Sequence, residues 1–310
     1  MEPIQHSLKK WMRGHKQFQQ RLQKTKEDVL KSEEILKLLE KHPSLTESDL
    51  EKNLIKLYEY QSQSKQCEKC PTREQCINIL PGYAPRVEVH QSEIKLAYDK
   101  CPRQRKQEQE ESQKSLVKSL YMPKEILEAN LERLDYNDPD RGKAIEKTVH
   151  YIESLDDVLP GKGMYFHGPF GVGKTYFLGA IANELSKKNI PSMIIYMPEF
   201  VREIKASIKD DSMNEKIEAF KNAPVLMLDD IGAESQSAWF RDEVLGSILQ
   251  FRMMERLPVF FTSNYSLEEL EQVMMTSSRG DVEQVKAKRI TERIRQLSEI
   301  VPVEGKNRRG

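Results

Sequence analysis

The chain reads as an α/β protein: a parallel sheet flanked by helices with a small C-terminal helical part, preceded by a small helical domain. Three observations predict this. Strand–loop–helix units recur between residues 163 and 264, and such alternation builds a parallel sheet with helices on both faces. The first unit carries the octapeptide Gly168-Pro169-Phe170-Gly171-Val172-Gly173-Lys174-Thr175, a Gly-x4-Gly-Lys-Thr loop. All four cysteines lie together upstream, between Cys67 and Cys101.

In chain order, residues 15–40 read as helix, with Phe18, Leu22, Val29 and Leu36 at near-heptad spacing. A second helix is predicted over 46–60, with Leu50, Leu54 and Leu57 on one face and a capping-box-like start at Thr46 and Asp49. Cysteines then follow as Cys67-x2-Cys70-x5-Cys76-x24-Cys101. Clustered cysteines in a reducing compartment point to Zn²⁺, which takes four thiolate or imidazole ligands tetrahedrally. Cys67, Cys70, Cys76 and Cys101 are the expected set. The spacing to Cys76 fits no common zinc template, so His90 is the alternative fourth ligand. Four unrelated thiols are the plainer reading, and a redox Cys-x-x-Cys pair would need a βαβ context that is missing here. So small a unit cannot bury a large core, and a metal would supply the missing stability. Residues 1–102 are therefore expected to form a zinc-stapled docking domain, with nucleic-acid binding as the competing role.

Residues 103–118 are mostly polar and read as a solvated helix or linker. A second domain is expected over 119–310, with Met122-Pro123 and a helix across 140–155 before the first strand, Gly163–His167. After the loop, apolar residues at 177, 178, 181 and 185 mark a helix. A strand, a Gly-rich turn and a helix N-terminus together form an anion site, with backbone N–H groups and the helix dipole facing phosphates. Gly168, Pro169, Gly171, Val172, Gly173 and Tyr176 belong to this cradle. Lys174 is expected to reach the β- and γ-phosphates and the Thr175 hydroxyl to hold Mg²⁺. Further strands are read at 193–196, at Pro224–Asp230 and at Pro258–Asn264. Ligands sit at the carboxyl ends of strands in such sheets. Asp229 is thus placed to organise Mg²⁺, Asp230 to orient or deprotonate an attacking water, and Asn264 to report on the terminal phosphate. Alone, an Asp pair or an Asn after a strand is more often a turn or cap.

Charge excludes little: 49 basic and 49 acidic residues give a formal net charge of zero. Both ends of the chain are locally basic and could meet polyanions, although solvated helix faces are the plainer reading. No apolar run approaches the ~18 residues of a membrane span, and no signal-peptide core opens the chain. It is read as a cytoplasmic protein without a membrane partner.

The run Leu228-Asp229-Asp230-Ile231-Gly232-Ala233-Glu234 resembles the Asp-Asp-Ile-Gly-Ala/Ser-Glu box of the DnaC/IstB-type branch of AAA+ ATPases, although Asp230 stands where many AAA+ proteins carry Glu. Tyr196-Met197-Pro198-Glu199-Phe200 and Lys288–Ile294 also look like that branch. Joined to the cysteine module, the whole chain is similar to the primosomal loaders of bacterial replicative helicases. The resemblance implies ATP binding and slow hydrolysis, with the zinc domain docking on a hexameric DnaB-type helicase alongside other primosome proteins. It further implies single-stranded DNA binding and side-by-side self-association on the ring. Arg289 would act as the finger in trans, with Arg293 in reserve, and Arg309 or Arg308 as the sensor-2 arginine. Arg202 and Lys205 would meet the DNA strand, whereas Phe200 is better read as core. A different class, the IstB-like transposition helper, would share the ATPase core but is not expected to carry the cysteine module. A metabolic kinase would need an acceptor pocket and no arginine in trans.

Overall fold

The computed structural model describes residues 16–65, 70, 72, 75–90, 93–155, 159–207, 212–233, 237–275 and 283–308. The chain divides into two compact units, Met1–Glu110 and Glu111–Gly310. No described helix is long and apolar enough to cross a membrane.

Among its described residues the N-terminal unit opens with the helices Lys16–Leu30, Glu33–Lys41, Glu47–Lys52 and Leu54–Ser62. The sequence reading ran the first two together. Ser32 separates them: its side chain accepts from the Ile35 N–H and caps the second helix. Thr46 and Asp49 form the expected capping box, each side chain meeting the other's backbone N–H. Val29, Ile35, Leu38, Leu50, Leu57 and Ile94 make a small core. Ile94 comes from an antiparallel hairpin that the helical reading missed, β1 (Tyr83–His90) and β2 (Glu93–Lys100), paired from Tyr83↔Lys100 to His90↔Glu93. Pro85 obscures the strand in sequence, but a two-stranded ribbon leaves every strand an edge where proline is tolerated.

Of the two readings of residues 103–118, solvated helix or linker, the helix is the one found as far as Leu116. Pro102–Leu116 is a helix, and Val117–Leu120 is β3, an edge strand of the second unit's sheet. The unit thus takes in residues that the polar composition had assigned to a connector. Its sheet is wholly parallel, in the order β3-β5-β6-β7-β4-β8, with β4 Gly163–His167, β5 Ser192–Tyr196, β6 Val225–Asp229, β7 Val259–Ser263 and β8 Ser298–Pro302. β8, also missed, follows the basic helix Gln284–Leu297 and pairs with β4 from Gly163↔Ser298 to His167↔Pro302.

Strands β6 and β7 are buried at every position, as expected for a sheet covered on both faces. Alternate residues feed opposite cores. Phe261 packs with Phe200, Phe240 and Leu228, and Phe260 with Phe166, Phe177 and Met227. Phe200 is 1% exposed and edge-on to Phe220 at 4.7 Å between ring centroids, as its helical spacing predicts. The loops leaving the carboxyl ends of β4, β6 and β7 therefore meet above a rigid, apolar floor.

Arg252 is fully buried and donates to the carbonyls of Phe220, Lys221, Ala223, Pro224 and Pro258, at 2.6–3.3 Å. It satisfies the chain entering β6 and β7 at the end opposite the loops. Arg252→Ala strands those carbonyls and opens a void. We expect a loss of about 3–5 kcal/mol, read as a lower urea midpoint at unchanged slope.

Candidate nucleotide site

The phosphate-loop segment leaves β4 and enters the helix Lys174–Lys187. Its turn needs left-handed backbone: φ is +80° at Gly171 and +93° at Gly173, which caps the helix. A Cβ at Gly171 would also lie 1.9 Å from Asn307 Oδ1. The loop borders a cavity of 1110 Å³ within the second unit, ample for a nucleotide. Val172 is fully buried beneath the loop, and Tyr176 exchanges hydrogen bonds with the backbone of Asn130.

Lys174 is 7% exposed and turns back onto its own loop. Its Nζ donates to the carbonyls of Gly168 (2.8 Å) and Pro169 (2.7 Å) and to Asn264 Oδ1 (2.9 Å). Asn264 Nδ2 then donates to Asp230 Oδ1 (2.8 Å), and the Asp230 N–H to Thr262 Oγ1 (2.8 Å). Thr262 in turn donates to Asp229 Oδ1 (2.6 Å). One polar chain therefore links the ends of β4, β6 and β7. Burial pushes the Asp229 carboxyl up to about 6, and hydrogen bonds from Thr262 and Thr175 oppose the shift. A buried carboxylate of this kind, beside a threonine hydroxyl and a Gly-rich anion cradle, suits a phosphate-bound hard cation. The residues present fit ATP with Mg²⁺.

The structure brings together the loop glycines, Lys174, Thr175, Asp229, Asp230 and Asn264. It does not bring Arg289 to them: Arg289 is exposed on the helix Gln284–Leu297 and does not line the cavity. Arg293, the reserve candidate, is half-buried and donates to the Gly246 carbonyl at 2.9 Å. Arg309 and Glu234 lie outside the described residues. Arg308 lines the cavity, pairs with Asp138 and donates its N–H to the Gly171 carbonyl at 2.9 Å. Arg202 and Lys205 are exposed on the helix Met197–Ser207, where Arg202 pairs with Glu199 at 2.5 Å.

Among the described residues no group of three or more metal-ligating side chains converges. Cys67 lies outside them, while Cys70, Cys76 and Cys101 are free thiols. Buried Cys101 accepts the Gln104 N–H, and His90 is exposed beside Glu88.

Sequence reasoning missed Thr262 and Arg141. Thr262 could have been found as the hydroxyl beside a strand-end Asn, facing an acid pair on the neighbouring strand. Arg141, which lines the cavity from the start of the helix Gly142–Glu153, sits in no motif.

Residues 1–98 match the family described as primosomal protein DnaI N-terminus, and residues 101–310 match the IstB-like ATP binding protein family. The replicative helicase loader DnaI of Bacillus subtilis (strain 168) is 45% identical over 310 residues, covering 100% of this chain and 99% of the relative. A crystal structure of DnaI is similar with a TM-score of 0.55 and 50% identity, covering 64% of this chain and 99% of that one. A crystal structure of the DnaC helicase loader, 21% identical, covers 59% of this chain and 100% of that one at a TM-score of 0.50, and shares the fold.

Thr262→Val removes the hydroxyl that joins Asp229 to the Asp230 backbone, taking one donor from buried Asp229 and the acceptor of the Asp230 N–H. It should cost about 1–3 kcal/mol, and Thr262→Ser should restore most of it. Paired thermal melts of the three proteins check this.

Proposed function

The chain belongs to the DnaI family of replicative helicase loaders, and we propose that it is an ATP-hydrolysing loader that places a hexameric replicative helicase on single-stranded DNA. The observation that carries the reading is the continuous polar chain from Lys174 through Asn264 and Asp230 to Asp229, built around a phosphate loop. The DnaI-type N-terminal segment favours a loader over a transposition helper.

Lys174 exchanges its loop carbonyls for the β- and γ-phosphates when nucleotide enters. Asn264 stays bonded to Asp230 and passes the arrival of the terminal phosphate to it. Asp230, fixed through its side chain by Asn264 and through its N–H by Thr262, orients the attacking water and takes its proton. Mg²⁺, which Thr175 and Asp229 would hold, supplies neutralising charge at the phosphate oxygens. Exposed Arg289 completes a neighbouring subunit's site, stabilising transition-state charge from outside. Arg308 serves as the sensor-2 arginine. Arg202 and Lys205 present charge to the DNA backbone.

Residues 1–102 act as the helicase dock, with the domain over 119–310 as the motor. Zn²⁺, which Cys67, Cys70, Cys76 and Cys101 would hold, supplies stability to a unit whose apolar core is small.

Native mass spectrometry of the full chain mixed with its host replicative helicase, with and without ATP, tests the loader reading. A defined complex with a hexamer is expected, each loader carrying the mass of one zinc ion. No complex under any nucleotide condition would remove the reading. A mixing experiment tests the trans arginine. Arg289→Ala and Lys174→Ala should each hydrolyse ATP at least tenfold more slowly alone. Mixed in equal amounts, they should regain turnover, since one supplies the intact loop and the other the intact finger. No recovery on mixing would move the finger role elsewhere.

A further inference from the structure

Among the described residues of the second unit Arg141, Arg241 and Arg252 are buried, and the last two each meet several acceptors. Arg252 meets five carbonyls. Arg241 meets Asp242, Glu283 and the Met274 carbonyl. Arg141 is different. It is 3% exposed, and its Nε is buried without a hydrogen-bond partner, as that of Arg252 is. Among the described residues no carbonyl or carboxylate pairs with its guanidinium in the way that those of the other two are paired. Its guanidinium lies over the Phe177 ring, 5.0 Å from the centroid, and it lines the phosphate-loop cavity. Burying a guanidinium without matched acceptors is costly. Asp138, the acid that would answer it, is paired with Arg308. Arg308 is a second cation on the same cavity wall, and burial together with that neighbour disfavours the Arg141 charge. Two cations beside a loop of backbone N–H groups suit an anion.

We infer that Arg141 is a nucleotide-binding residue acting in cis, donating to the inner phosphates that nucleoside di- and triphosphates share. This rests on the nucleotide-binding reading of the cavity. Position decides which phosphates. Lys174, Asn264 and Asp230 mark the end where the terminal phosphate reacts. Arg141 lies elsewhere, with Nη2 3.2 Å from where a Gly173 Cβ would be, at the helix-cap end of the loop beside Tyr176. Met122, Ile126 and Leu134 add apolar wall to the cavity there, suited to a base. The phosphates next to the sugar fall between. The ring of Phe177 holds the guanidinium in place, so little side-chain freedom remains to be lost on binding.

The test is calorimetric titration of MgADP into the full-length protein, with the melting temperature of each nucleotide-free protein measured alongside. Arg141→Met keeps the packing on Phe177 and removes the charge. It should weaken MgADP about 10- to 100-fold without lowering the nucleotide-free melting temperature, because an unanswered buried cation has been removed. Arg141→Lys should recover part of the affinity. Affinity within twofold of the unmodified protein overturns the inference. So does a melting temperature lowered by several degrees with affinity unchanged, which assigns Arg141 to the fold. If the unmodified protein binds no MgADP, the nucleotide-binding reading falls too, whereas binding that ignores Arg141→Met removes this inference alone.

Discussion

Lys174 is a cation held almost out of water, and its three acceptors come from the loop it belongs to and from the end of β7. A buried ammonium must be met by acceptors of good geometry or it unfolds its surroundings. That requirement ties the loop backbone to Asn264, and through Asn264 and Thr262 to both acids of β6. The strand order places β7 between β4 and β6, so the residue following β7 can touch the loop on one side and the acids on the other. Sheet topology and site chemistry are therefore one constraint seen at two scales.

The resting site is internally satisfied around Lys174 and unsatisfied around Arg141. On the proposed nucleotide-binding reading, these two features divide the labour of binding. In that reading the lysine gives up its bonds to the Gly168 and Pro169 carbonyls when phosphate displaces them, so its net gain is the difference between strong acceptors and stronger ones. The arginine gives up nothing comparable. It gains acceptors that the protein withholds, which is preorganisation in the sense of cost already met during folding.

Much of this was legible in the sequence because it is local. Gly168–Thr175 follows a local pattern, and the Asp229-Asp230 pair and Asn264, each ambiguous alone, gain their reading from standing at the ends of apolar runs in the same chain. The capping box at Thr46 and the buried role of Phe200 follow from spacing alone. What escaped depends on pairing across distance. β3 and β8 are short strands next to strongly helical or polar segments, and their membership in the sheet is fixed by Ser192–Ile195 and Gly163–His167. The hairpin of β1 and β2 was hidden by Pro85. Thr262 gains meaning only when β6 lies beside it, and Arg141 only when the chain has folded back over Phe177. Exposed Arg289 is the reverse case: a family resemblance names it, and the fold leaves it at the surface, off the cavity lining.

Asp230 sits at φ +59°, a left-handed conformation that short Asp and Asn tolerate better than longer side chains do. Many relatives of the wider ATPase class carry Glu at this place. Here the acid's length and the backbone's handedness are matched, because the same turn points the Asp230 N–H at Thr262 and its carboxylate at Asn264. A Glu on the same left-handed turn would carry its carboxylate past Asn264 unless the backbone shifted, so the reach of the acid and the handedness of the chain belong to one peptide unit.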